Sequence, residues 1–133
     1  MSSVSKRETQ TLLVVDDEED IKLVLRTALE RQGYVVLTNC SPTNALAEFV
    51  PNKFDLVICD IRMPEMDGFT LAEKMLAIDS KQKVCFLTAY DEGYLEEFSR
   101  RFPNLPRHCF AKKPVSIVDL LEMVRAELDR TNS

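Results

Sequence analysis

At four points in this chain a hydrophobic run stops at a reactive side chain. Asp16 and Asp17 follow Thr11-Leu12-Leu13-Val14-Val15, and Asp60 follows the run from Phe54 to Cys59. Thr88 closes Val84-Cys85-Phe86-Leu87, and Lys113 lies just past Cys109-Phe110-Ala111. Three carboxylates brought together repel one another and raise each other's pKa. A divalent cation removes that conflict, and Mg²⁺ is typically held by one or two protein carboxylates with waters and phosphate oxygens completing its shell. Lys113 supplies a compact positive charge for a phosphoryl oxygen. Thr88 supplies a hydroxyl, and Ala89 leaves space and offers a backbone N–H. A carboxylate so placed can act as a nucleophile and form an acyl phosphate. Positioning and charge stabilisation would then carry most of the catalysis.

Groups so far apart in sequence meet only if the fold gathers them. Short apolar runs rich in branched residues, separated by helical patterns, read as parallel strands buried on both faces. The runs predict strands over 11–15, 34–37, 54–59, 84–88 and 107–111. Ile21, Val24, Leu25, Ala28 and Leu29 give the first helix its apolar face. Asp17 to Asp20 suit the positive end of its dipole, and Gly33 stops it. Ser41-Pro42 starts a second helix carrying Ala45, Leu46 and Phe49. Asp67 caps a third with Leu71, Ala72, Met75 and Leu76. Tyr94, Leu95 and Phe98 mark a short fourth that breaks at Pro103 and Pro106. Ile117, Leu120, Leu121, Val124 and Leu128 mark the fifth. Alternating βα units imply an α/β fold, a doubly wound five-stranded parallel sheet with right-handed crossovers. Its order would be 2-1-3-4-5, with helices one and five on one face. Ligands of such sheets bind outside the carboxyl ends of the strands, where all four reactive positions fall.

The 133 residues fit one domain, with 10 N-terminal residues read as a disordered tail and 11–130 as the folded unit. A net charge of −5 argues against direct nucleic-acid binding, which calls for a basic stripe. No apolar stretch approaches the ~20 residues that cross a bilayer, and the polar N-terminus has no signal-peptide core. A cytoplasmic location is expected. Cys40, Cys59, Cys85 and Cys109 lack the paired spacing of a zinc site and read as small buried hydrophobes. His108 is the single histidine and reads as a strand or surface residue without a metal.

Four pieces of the sequence together resemble the receiver domain of two-component response regulators, over about residues 11–130. They are Leu13-Val14-Val15-Asp16-Asp17-Glu18, the stretch from Asp60 to Gly68, Leu87-Thr88-Ala89, and Lys113-Pro114. The steps of 43, 28 and 25 residues from Asp17 to Asp60, Thr88 and Lys113 match as well. The resemblance implies a flavodoxin-like fold of the kind for which this strand order is known. It implies that Asp60 is phosphorylated by a histidine kinase or phosphotransfer protein. Asp17, Asp60 and the backbone carbonyl of Arg62 would bind Mg²⁺, with Asp16 acting through water. Thr88, Ala89 and Lys113 would bind the phosphate, and Lys113-Pro114 would be cis. Thr88 and Phe110 would form the switch that moves the surface of helix four, strand five and helix five. The function so implied is a stand-alone phosphorylation-controlled binding switch, not an enzyme beyond its own phosphorylation and slow dephosphorylation. Its partners would be the kinase and a downstream protein, and it would be a monomer or a phosphorylation-dependent dimer.

The chain departs from the family pattern in three ways. Phe110 lacks the hydroxyl of the more frequent tyrosine. Arg62 and Tyr90 are bulky at the two variable positions beside the site, which implies obstruction of the hydrolytic water and a long-lived phosphoryl group. The segment between Thr88 and Phe110 is longer than in common members. A phosphatase of the haloacid-dehalogenase kind is disfavoured, because no second acid stands two residues after Asp60. A flavin-binding relative would need a Ser/Thr/Gly-rich phosphate loop after the first strand. A binding module that is never phosphorylated would have no need of Asp60 and Lys113.

Overall fold

The structure is a computed structural model that describes residues 9–89 and 93–131. Five strands, β1 (Thr11–Val15), β2 (Val35–Asn39), β3 (Leu56–Asp60), β4 (Val84–Thr88) and β5 (Phe110–Lys112), form one parallel sheet in the order β2-β1-β3-β4-β5. Among the described residues four α-helices lie in the connections, α1 (Glu19–Glu30), α2 (Pro42–Ala47), α3 (Gly68–Ile78) and α4 (Tyr94–Arg101), and α5 (Ile117–Asp129) follows the last strand. Every residue of β3 and β4 is buried, as expected of central strands covered on both faces. Leu12, Leu56, Val57, Val84 and Phe86 are wholly enclosed. Each such aliphatic or aromatic side chain contributes roughly 1.5–3 kcal/mol relative to exposure.

Register decides where the reactive residues stand. Val15 pairs with Cys59 and Asn39, Asp60 with Leu87, and Thr88 with Lys112. Asp16, Asp60, Thr88 and Lys113 therefore share the carboxyl edge of the sheet. Helix caps fix the elements that leave it. The Ser41 hydroxyl accepts from Asn44 N–H (3.1 Å), the Asp67 carboxylate from Thr70 N–H (2.8 Å), and the Ser116 hydroxyl from Asp119 N–H (3.0 Å).

Several local features differ from the sequence pattern. The segment predicted as strand 107–111 is a 3₁₀ turn over Arg107–Cys109 followed by strand Phe110–Lys112. Pro106 lacks an N–H for the ladder, and its carbonyl instead accepts from Cys109 N–H at 3.0 Å. The second strand reaches beyond Leu37 to Asn39, where polar Thr38 and Asn39 hide it from an apolar reading. Val24, expected on the apolar face of α1, is 57% exposed, while Lys22 is buried. Ile117 is likewise exposed at the start of α5. Cys40 is exposed just past β2, unlike the three buried cysteines. Residues 1–8 of the expected tail lie outside the described residues, and the Gln10 carbonyl already accepts from Val35 N–H at 3.0 Å.

Candidate functional site

Asp60 ends β3 in a buried position, with 7% of its surface exposed. Its Oδ1 accepts from the Ile61 N–H at 2.8 Å. Burial pushes its carboxyl up to about 6, and the neighbouring Asp16 and Asp17 charges push the same way against the opposing pull of Lys113 and the Ile61 N–H. Asp16, one residue past β1, is also buried, and Asp17 beside it is exposed. One carboxylate oxygen from each of Asp16, Asp17 and Asp60 lies within 4.8 Å of the other two.

The ammonium of Lys113 answers only part of this charge. It donates to Asp16 Oδ2 at 2.8 Å and stands 3.6 Å from Asp60 Oδ2 and 3.5 Å from Glu18 Oε1. The other Asp16 oxygen accepts from Glu18 N–H at 2.9 Å. Lys113 is 8% exposed at the side chain, and its carboxylate partners hold its pKa up against burial. The Lys113 backbone N–H donates to the Thr88 carbonyl at 2.7 Å, so the main chain fixes these two positions together. Thr88 is fully buried at the end of β4, and Ala89 is exposed immediately after it. The Lys113–Pro114 peptide is cis. Arg62 is exposed in the loop after Asp60, and Tyr90 lies outside the described residues.

The loop from Asp60 back to α3 depends on a residue that the sequence shows only as a loop boundary. Gly68 packs against the backbone of Asp60 and donates its N–H to the Ile61 carbonyl at 2.8 Å. A Cβ at this position would stand 2.0 Å from the Asp60 carbonyl oxygen. Glycine is therefore required by close approach, and it sets the backbone that carries Asp60.

Behind Thr88 lies an aromatic cluster. Phe86, two residues earlier on β4, stands 5.0 Å from Phe69, 5.2 Å from Phe102 and 5.9 Å from Phe98, centroid to centroid. Phe98 in turn stands 5.4 Å from Phe110. Of Tyr94, Leu95 and Phe98, which mark α4 in the sequence, Phe98 is buried in this cluster and Leu95 is exposed. Phe110 is buried, with the Arg107 guanidinium 5.6 Å from its ring and donating to its carbonyl at 2.7 Å. A cation–π contact thus holds the ring where a hydroxyl is lacking. Sequence reasoning missed Arg107, whose contact depends on the 3₁₀ turn.

The carboxylates, lysine and threonine at one sheet edge match the site of a known family. The family of the response regulator receiver domain matches residues 12–125. The chain belongs to this family. The transcriptional regulatory protein RprY of Bacteroides fragilis is 31% identical over 121 residues, covering 90% of this chain and 49% of RprY. Sporulation initiation phosphotransferase F of Bacillus subtilis is 29% identical over 119 residues, covering 90% of this chain and 94% of that protein. This receiver spans about half the length of RprY and 13% of the sensor kinase CckA of Brucella abortus. Among solved structures, a CheY-like receiver domain protein from Methanospirillum hungatei superposes with a TM-score of 0.81 at 29% identity, covering 92% of this chain and 95% of that one. TrrA from Thermotoga maritima, solved in complex with Mg²⁺-BeF, gives 0.76 at 30% identity, covering 89% of this chain and 98% of TrrA.

Mg²⁺ binding and phosphorylation are typical of the receiver family, whose members work with histidine kinases and downstream effectors. The donors here fit Mg²⁺: they are hard oxygens, clustered, and they include a buried carboxyl whose ionised form a cation would stabilise. No helix among the described residues is long and apolar enough to cross a membrane.

Proposed function

We propose that this receiver accepts a phosphoryl group on Asp60 and acts as a phosphorylation-controlled binding switch in the cytoplasm. The observation that carries the reading is the unequal sharing of Lys113, which bonds Asp16 at 2.8 Å and leaves Asp60 at 3.6 Å. Asp60 is thus held by Lys113 at longer range than Asp16 is, which leaves room for a metal and a phosphoryl group to complete its compensation. Asp17, Asp60 and the Arg62 carbonyl would hold Mg²⁺, with Asp16 bound through water. Bound there, the metal would supply charge neutralisation between the carboxylates and the incoming phosphate. An Asp60 oxygen attacks phosphorus of a phosphohistidine on a histidine kinase or phosphotransfer protein. The new O–P bond gives an acyl phosphate, and the breaking N–P bond returns its electron pair to the imidazole. Lys113, which in the unphosphorylated protein donates to Asp16, pairs with a phosphate oxygen, and Thr88 and Ala89 donate to the others.

Thr88 movement would be felt by Phe86 and Phe110 through the aromatic cluster, and so by the surface of α4, β5 and α5. The output is a changed affinity for a downstream protein. Beyond its own phosphorylation and slow dephosphorylation, the chain is no enzyme. Exposed Arg62, with Tyr90, would shield the acyl phosphate from water and lengthen its life. Intact-mass spectrometry after acetyl phosphate treatment tests the reading. One added phosphoryl group is expected with Mg²⁺, and none with a chelator or in Asp60→Asn. Labelling of Asp60→Asn at the unsubstituted level would place the acceptor elsewhere.

A further inference from the structure

At the end of the sheet away from the acidic edge, the turn into β5 meets the last turns of α5. His108 Nε2 lies 2.9 Å from Glu127 Oε1. One donor atom from each of His108, Cys109 and Glu127 falls within 4.8 Å of the other two. Cys109 and Glu127 are fully buried, and the His108 side chain, 33% exposed, connects them to solvent. These residues play no part in the phosphoryl chemistry.

We propose that His108, Cys109 and Glu127 form a second metal site, for a borderline-soft divalent cation of the Zn²⁺ type. Imidazole nitrogen, thiolate sulfur and carboxylate oxygen are the donors Zn²⁺ takes, whereas Mg²⁺ keeps to oxygen. Three protein ligands leave a fourth, tetrahedral position for water, reached past His108. As the metal–sulfur bond forms, the Cys109 thiol gives its proton to solvent. His108 gives up its hydrogen bond to Glu127, losing the Nε2 proton to solvent and carrying its proton on Nδ1, so that the Nε2 lone pair binds the metal. Glu127 keeps its present partner, because Arg130 donates to Oε1 at 2.8 Å and to Oε2 at 2.5 Å and each carboxylate oxygen has a further lone pair. Arg130 would then orient a metal ligand from behind. Thiolate and carboxylate neutralise the cation, and partly exposed Arg130 carries the remaining positive charge.

Arg130 already compensates Glu127, so the fold stands without this metal. When bound, the cation would staple α5 to the residue preceding Phe110 and restrain the start of β5. Cobalt is the probe. The full chain carrying Cys40→Ser, with Mg²⁺ in excess to fill the acidic site, is titrated with Co²⁺ under reducing conditions. One equivalent should produce a thiolate-to-cobalt charge-transfer band. Cys109→Ser should abolish the band, and His108→Ala and Glu127→Gln should each weaken binding by about tenfold or more. If Cys109→Ser fails to fold, the other two variants decide. An unchanged band in Cys109→Ser, unchanged affinity in both other variants, or no band in the intact ligand set overturns the site.

Discussion

Two carboxylates are buried at opposite ends of this sheet, and their environments push them in opposite directions. Burial works against the ionised form of Glu127, yet hydrogen bonds from Arg130, His108 and Cys109 overcome it and hold its pKa below the usual range. Asp60 is buried as well, but its neighbours include two more acids and its lysine is closer to Asp16, so its pKa rises to about 6. Depth does not separate the two groups. Compensation does: Glu127 is complete without a ligand, and Asp60 is left wanting positive charge. That deficit is what an acceptor site needs, since a metal and a phosphoryl group can meet it.

The comparison is broken most severely by disturbing what fixes each carboxylate. Gly68→Ala forces a methyl into the Asp60 carbonyl and should cost about 3 kcal/mol in urea unfolding, with loss of phosphorylation. Glu127→Ala should cost a similar amount, about 3 kcal/mol, because it opens a cavity and strips partners from Arg130 and His108. Asp60→Asn should go the other way. Removing an incompletely compensated buried charge should stabilise the metal-free protein by about 2 kcal/mol at neutral pH.

The pH dependence sharpens the same contrast. The folded Asp60 carboxyl titrates near 6, above its ordinary value of 3.8, so between these values the folded state binds more protons than the unfolded one. Its contribution to stability is therefore full at low pH and declines as pH rises to 6. Glu127, with a lowered pKa, contributes in the reverse sense and loses its contribution in acid. Urea unfolding in chelator should show the Asp60 slope in the parent chain and a flat response over that window in Asp60→Asn after subtraction of the common background. Smallest in effect, Arg62→Ala should leave stability unchanged and speed loss of the phosphoryl group a few-fold, read as decay of the intact-mass adduct.

Much of this is legible from residue pattern. The runs ending at Asp16, Asp60 and Thr88 mark their strands directly, because parallel strands covered on both faces must be continuously apolar. The carboxyl-edge grouping then comes from chain direction. Features fixed by tertiary contact are not legible. Helical spacing marks an apolar stripe on α1 but not its rotation against the sheet, so the pattern puts Val24 inside, whereas the fold exposes it and buries Lys22. Gly68 reads as a turn residue until its packing against the Asp60 backbone is seen, where a Cβ would stand 2.0 Å from the Asp60 carbonyl oxygen. Glu127 lies 19 residues beyond His108 on an amphipathic helix, where a glutamate ordinarily faces water, and its closeness to His108 and Cys109 arises only when α5 packs on the 3₁₀ turn before β5.

Side-chain carboxyl NMR of the full chain, titrated with and without Mg²⁺, tests the unequal compensation most directly. In chelator Asp60 should titrate near 6 and Glu127 below the ordinary range; Mg²⁺ should drive the Asp60 midpoint down and leave Glu127 where it is. An Asp60 midpoint at the ordinary carboxylate value in chelator, unmoved by Mg²⁺, would contradict the account.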